Sequence, residues 1–253
     1  MRIILACFFT IIYYTFFAII LLVFHVAQYL AYNLGGYKAH KIVVDGLNIC
    51  LVLNLYTLLC RPVFKGFKDL PRDKPLIIVS NHQSMHDIAP IGAGFRKHHP
   101  KFISKKGLGK NLPSVSYNLQ KGGSVLIDRD NGSQSIREII KLGKNLELKN
   151  YSACLFPEGT RSKKGLVKSF QTAGFKTLLK AAPSAIVVPH VIDGNYKLHR
   201  YGNFPLNIGL KLNYTALEPV NRNGLSDEEL MLKVELKIKA ALGKLIPIPD
   251  YST

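Results

Sequence analysis

Residues 3–34 form an apolar run without a single Asp, Glu, Lys or Arg, and only His25, Gln28 and Asn33 interrupt it with strongly polar side chains. About 20 helical residues cross a hydrocarbon core of about 30 Å, so the pattern predicts a helix retained in a membrane. A cleaved signal peptide is the competing reading, but its apolar core would be about 7–15 residues long and end at small residues. A second apolar stretch, residues 42–64, carries Asp45, Asn48 and Asn54 and ends in Arg61-Pro62. Those polar groups predict an interfacial or re-entrant helix lying against the bilayer in place of a second full span.

Apolar content drops and turn residues gather over 65–75, which divides the chain into a membrane-anchoring helical segment, 1–64, and a domain, 65–253. In that domain short β-rich runs at 76–79, 101–104, 124–127, 153–156, 185–190 and 210–214 alternate with helical patterns at 133–148 and 170–181. The layout is α/β. Ser226 with Glu229 three residues on forms a capping box for a last helix, whose predicted apolar stripe is Leu230, Val234, Ile238 and Ala241.

Charge narrows the partners. The chain carries 34 Lys and Arg against 16 Asp and Glu, a formal +18. Residues 1–64 hold four of the basic residues and one acidic residue, so most of the excess lies in the domain. A basic domain suits nucleic acid, an anionic bilayer or a phosphorylated substrate. No nucleic-acid reading motif occurs, basic residues are not interleaved with aromatics on one face, and a membrane segment is a poor companion for that role. The membrane reading also keeps the basic domain on the cytoplasmic side. Cys7, Cys50, Cys60 and Cys154 have no short paired spacing, and read as buried thiols in a reducing compartment.

In an open α/β sheet, ligand groups collect beyond the carboxyl ends of strands. Three polar clusters lie there: residues 81–87 ("NHQSMHD"), Asp128-Arg129, and residues 157–162 ("PEGTRS"). His82 and Asp87 are suited to general-base chemistry, because a carboxylate on one ring nitrogen fixes the tautomer that leaves the other free to accept a proton. The plain alternative is that Ser84 or Asp87 caps a helix and His82 satisfies backbone groups. His82 and His86 have the i, i+4 spacing of zinc ligands, but Gln83 stands where a zincin has Glu, so no metal is expected. His98-His99, among Arg96, Lys97 and Lys101, reads as a basic surface edge. Arg129 and Arg161 are candidates for holding a phosphate, with Glu158 as an ion-pair partner that fixes the turn. Lys105 and Lys106, at the same sheet edge, are candidates for phosphate or donor contacts. No phosphate-binding G-x-x-x-x-G-K-[ST] loop and no G-x-S-x-G elbow occurs.

Four stretches in order, "NHQSMHD", "GGSVLIDR", "FPEGTRS" and "IVVPHVIDG", resemble the blocks of the glycerolipid acyltransferases of the 1-acylglycerol-3-phosphate acyltransferase type. The resemblance covers roughly residues 75–195. It implies a mixed central sheet flanked by helices, with a membrane-embedded N-terminal segment, and transfer of a fatty acyl group from acyl-CoA or acyl carrier protein to lysophosphatidic acid, forming phosphatidic acid. It implies His82 as the base and Asp87 as its orienting partner, and places the acceptor's glycerol phosphate among Arg129, Glu158, Gly159, Thr160 and Arg161. Pro189 becomes an acyl-pocket candidate. No cofactor is implied beyond the acyl donor, and an anionic membrane surface is the expected partner, at the cytoplasmic face of a bacterial inner membrane. A same-family acyltransferase for another lyso-lipid or a hydroxylated acyl amino acid is the alternative, and a non-catalytic lipid-binding protein a more distant one. His190 stands where the family's fourth block has an apolar residue, and His86 is an additional histidine read as facing solvent.

Overall fold

The computed structural model describes residues 1–110 and 112–243. All six expected strands form: β2 (Leu76–Ser80), β3 (Pro100–Lys105), β4 (Val125–Ile127), β5 (Ser152–Leu155), β6 (Ile186–Asp193) and β7 (Lys211–Ala216). A strand not foreseen, β1 (Arg61–Lys65), adds an edge by pairing parallel to β7. The sequence reading assigned residues 61–64 to the end of the membrane segment. An edge strand needs ladder bonds on one side only, so it tolerates Pro62. The sheet order is β1-β7-β6-β2-β5-β3-β4, with β6 and β7 antiparallel and every other pair parallel, as expected of a mixed sheet.

β2 is buried along its whole length, which its unbroken Leu-Ile-Ile-Val requires. Leu76 and Ile78 face one core with Val188, Ile192 and Leu212, while Ile77 and Val79 face the other with Val187 and Val191. Helices α4 (Gly132–Lys149), α5 (Ala173–Ala181) and α6 (Asp227–Ala241) cover the second face. The Ser226–Glu229 capping box is present, and Leu230, Val234 and Ile238 are buried with Met231; Ala241, expected on that stripe, is exposed. Two short helices, α2 (Ile88–Gly94) and α3 (Val115–Lys121), carried little sequence signal because glycine and proline fill the one and seven residues barely reach two turns in the other.

The first face is covered by the N-terminal segment, α1 (Arg2–Asn54), which is folded back on itself. Gly36 (φ 64°, ψ −156°) takes a conformation essentially closed to side-chain-bearing residues and breaks the helix into two arms. Asn54 Nδ2 donates to the Tyr13 carbonyl at 3.1 Å, and His40 Nε2 meets Gln28 Oε1 at 3.1 Å, so the arms run antiparallel. The second arm is therefore the helix expected over the second apolar stretch, ending at Asn54 in a short 3-10 turn, Leu55–Leu58. The arms dock on the domain at both ends: Thr10 Oγ1 accepts from Leu206 N at 2.9 Å, and Lys101 Nζ donates to Tyr37 Oη at 2.7 Å. The outward face stays apolar, with Ile4, Phe8, Ile11, Leu22 and Val26 exposed at helical spacing. By length and composition, 2–58 is the one helical stretch among the described residues fit to cross a membrane. Cys60 and Cys154 are buried as expected, whereas Cys7 and Cys50 are half-buried; all four are free thiols.

A Cβ at Gly36 would meet no atom within 4 Å, so substitution there isolates backbone strain. Gly36→Ala should destabilise the hairpin by about 1–3 kcal/mol, seen as a lower thermal midpoint and faster proteolysis at the bend. An unchanged midpoint would mean that the bend does not depend on this glycine.

Candidate active site

The residues beyond the carboxyl ends of β2 and β5 form one rim. β2 ends at Ser80, and the next residue, Asn81, extends the ladder with its side chain: Nδ2 donates to the Ile192 carbonyl and Oδ1 accepts from Ile192 N, both at 2.8 Å. The chain then turns through residues 82–87. Asp87 reaches back, as His82 Nδ1 lies 2.7 Å from its Oδ2, the same oxygen that accepts from Gln83 N at 2.6 Å and Ser84 N at 2.9 Å. Ser84 Oγ accepts from His86 N at 3.2 Å, completing a capping box. Helix capping and the His–Asp pair are thus one construction, and the choice posed by the sequence falls away.

Asp87 is fully buried, while the His82 side chain is 15% exposed. The imidazole stacks on Phe156, centroids 4.1 Å apart and planes inclined by 22°. A carboxylate accepts only, so Nδ1 is the donor of this pair; in the neutral ring Nε2 then carries the lone pair, and it has no protein partner among the described residues. A base with a fixed tautomer and an open face is what deprotonation of a hydroxyl requires.

The stretch after β5 braces this turn. Glu158 Oε1 accepts from His82 N at 2.7 Å and Oε2 accepts from Lys168 N at 2.9 Å, and Ser162 N donates to the His82 carbonyl at 2.8 Å. Both faces of the His82 peptide are held by one loop. Glu158 is buried, and both its oxygens are occupied by backbone. The sequence reading placed it against the glycerol phosphate with an ion pair to Arg161; the described residues show no such pair, and the carboxylate clamps loop to loop. Burial pushes its pKa above the ordinary carboxylate value, and the two N–H donors pull it back. Gly159 has φ +68° in the turn closed by its N–H on the Phe156 carbonyl, a position suited to glycine.

Arg129, at the end of β4, donates through Nη1 to the Gly159 carbonyl at 2.5 Å and stays exposed, so two loops meet at this guanidinium. Arg161 is exposed on the same rim, next to the Ser162 that holds His82. Thr160 Oγ1 accepts from Lys168 Nζ at 2.6 Å, a lysine that sequence reasoning did not single out. Lys105 and Lys106 lie exposed at the carboxyl end of β3, on the same sheet edge. Pro189 is buried within β6 opposite Val79.

His86, His98 and His99 differ from expectation, and His190 lies on its expected strand. His86, expected to face solvent, is buried: Nδ1 meets Tyr13 Oη of the first arm at 3.0 Å, and the ring stacks on His199 at 5.6 Å. His190 is fully buried between Phe67 and Phe95, with Nδ1 on Ser80 Oγ at 2.9 Å. His98 is also buried, its Nε2 3.1 Å from the Pro71 carbonyl, and His99 stacks on Tyr151; neither forms a basic surface edge. Sequence reasoning also missed Asn195 and Tyr214, which stand behind Asp87. Only Asn195 carried a signal, as a polar residue directly after the fourth block.

An acyltransferase family model matches residues 61–193. That span is more than half of the chain. The chain belongs to the acyltransferase family. It is 34% identical over 143 residues to a chloroplastic 1-acyl-sn-glycerol-3-phosphate acyltransferase of Arabidopsis thaliana, covering 55% of this chain and 38% of that one. It is 38% identical over 92 residues to a 1-acyl-sn-glycerol-3-phosphate acyltransferase of Helicobacter pylori, covering 35% and 36%. The matches span less than two thirds of these relatives' length. The crystal structure of a 1-acyl-sn-glycerophosphate acyltransferase, PlsC, from Thermotoga maritima superimposes with a TM-score of 0.79 at 27% identity, covering 96% of this chain and 97% of that one. The likeness thus takes in the N-terminal hairpin as well as the sheet.

Two predictions follow from this geometry. Glu158→Gln offers one acceptor where two are needed, so a buried N–H loses its partner at a cost of about 1–3 kcal/mol; the thermal midpoint should fall together with turnover. A raised acceptor KM at unchanged stability would make Glu158 a ligand group instead. Burial lowers the pKa of His190 to about 3 and that of His86 to about 4, from 6.5. Between pH 6.5 and 4 the unfolded chain therefore binds protons that the folded chain refuses, and stability should fall with pH across that window. The urea midpoint should track this fall, and His190→Phe should flatten it; an equal slope in the variant would exclude His190 as a source.

Proposed function

We propose that this acyltransferase moves a fatty acyl group from acyl-CoA or acyl carrier protein to the free hydroxyl of 1-acyl-glycerol-3-phosphate, giving phosphatidic acid. The observation that carries the reading is an imidazole with one nitrogen on a buried carboxylate and the other open, on the same sheet edge as two exposed guanidiniums. A thioester is already activated, so positioning and proton removal are the main tasks left to the protein. His82 Nε2 takes the acceptor's hydroxyl proton as the oxygen attacks the thioester carbonyl. The C–S bond then breaks, and the proton passes from His82 to the departing sulfur, leaving an ester and a free thiol. Arg129 and Arg161 hold the acceptor phosphate, and Lys105 and Lys106 extend the basic rim toward the donor.

The hairpin fits a substrate that resides in a bilayer. Its outward face is apolar while its inward face is docked along the domain, so in this reading the hairpin lies in one leaflet and keeps the rim at the membrane surface. The net basic charge of the domain favours an anionic surface, and the cytoplasmic face of a bacterial inner membrane is the setting we infer.

The test is the purified protein in mixed micelles, offered lysophosphatidic acid and other lyso-acceptors with each donor, following ester formation and free thiol. His82→Ala should lower turnover by about a hundredfold or more, and Arg129→Ala should chiefly raise the KM for the acceptor. Near wild-type turnover in folded His82→Ala would end this mechanism, and equal rates with acceptors lacking a phosphate would end the assignment of the arginines.

A further inference from the structure

We infer that Asn195, oriented by Tyr214, is the positioning residue that keeps Asp87 an ionised, correctly aimed partner for His82; the inference rests on the reading of His82 as the base. Asp87 has two oxygens and no exposed surface. Oδ2 serves His82 Nδ1, Gln83 N and Ser84 N, all from its own turn. Among the described residues Oδ1 has one partner, Asn195 Nδ2 at 2.7 Å, which comes from 108 residues away, just past the end of β6. Local geometry alone secures one end of the carboxylate. The other end depends on the residue directly after the fourth block, so the end of β6 takes part in holding the carboxylate.

A side-chain amide has a donor end and an acceptor end, and only the donor end suits a carboxylate. Tyr214, on β7, settles the choice: its hydroxyl donates to Asn195 Oδ1 at 2.9 Å. Both Asn195 and Tyr214 are fully buried, so water does not replace either bond. The result is a chain of hydrogen bonds, Tyr214 to Asn195 to Asp87 to His82, that runs from the antiparallel side of the sheet to the open imidazole face. Four N–H donors surround one carboxylate, which accepts through both oxygens and donates nothing. As His82 takes up the acceptor's proton, Asp87 stabilises the imidazolium without taking the Nδ1 proton itself. Without Asn195, Oδ1 is a buried anionic oxygen lacking a partner. The carboxylate is then free to swing toward other donors or to share the His82 proton, and the tautomer that leaves Nε2 open is no longer enforced.

The test uses the full chain in detergent micelles with three variants, Asn195→Ala, the near-isosteric Asn195→Asp and Tyr214→Phe, each with its thermal midpoint measured. Asn195→Ala and Asn195→Asp should lower kcat by about tenfold to a hundredfold, part of the whole contribution of a general base, with the acceptor KM within about twofold of wild type. Tyr214→Phe should give a smaller loss of the same kind. Nitrogen-15 spectra of the histidines, taken without substrate, should show His82 as the Nδ1-protonated tautomer in the wild type and as a mixture in Asn195→Ala. A kcat loss that only tracks the folded fraction, or an unchanged His82 tautomer in the folded variants, overturns the inference. The spectra do not depend on turnover. A shifted tautomer with no acylation of any lyso-acceptor would retain the positioning role and overturn the proposed function alone.

Discussion

A carboxylate with no access to water is the constraint around which this site is organised. Burying an unpaired ionised carboxylate is very costly, so Asp87 is tolerable only because both of its oxygens are saturated by N–H donors. A hydrogen bond to a charged group contributes about 1.5–3 kcal/mol, and loss of one such partner leaves a charge that burial cannot hide. The need to satisfy one side chain therefore fixes the backbone of the 82–87 turn, the end of β6 and, through Asn195, the hydroxyl of Tyr214 on β7. Geometry useful for proton transfer is a by-product of that saturation.

The same logic divides the polar residues of the rim into scaffold and ligand groups. Glu158, Asn81 and Ser162 spend their hydrogen bonds on backbone and hold His82 in place. Arg129, Arg161, Lys105 and Lys106 instead stay exposed at the rim. An exposed guanidinium can meet a ligand, whereas a buried glutamate with both oxygens occupied offers it no free acceptor. Residue type and motif membership put Glu158 and Arg161 in one class; burial separates them.

The N-terminal hairpin is built into the domain. Tyr13 lies within the first core and its hydroxyl meets His86, the residue directly before Asp87. Docking of the apolar arm and the shape of the 82–87 turn are thereby joined through one tyrosine–histidine contact. Proximity to the bilayer and competence of the site are supported by the same packing.

Much of this was legible along the chain. The α/β alternation, six strands, the three main helices, the capping box at Ser226 and the pairing of His82 with Asp87 depend on local periodicity and on groups five residues apart, and local pattern carries such information. The rest is non-local. The edge strand Arg61–Lys65 exists because β7, about 150 residues later, offers it a ladder, and the hairpin exists because Gly36 can take a backbone conformation whose consequence depends on what the two arms then touch. His86 and Glu158 looked like surface or ligand groups because their residue types usually are; packing against Tyr13 and beneath a loop removed them from water. Sequence by itself determined six of the strands, the main helices and the residue types at the strand ends, since hydrophobic period and turn residues act over a few positions. Only the tertiary structure decided which polar groups stay open at the rim and which hold the frame, because that depends on burial and on partners more than a hundred residues distant.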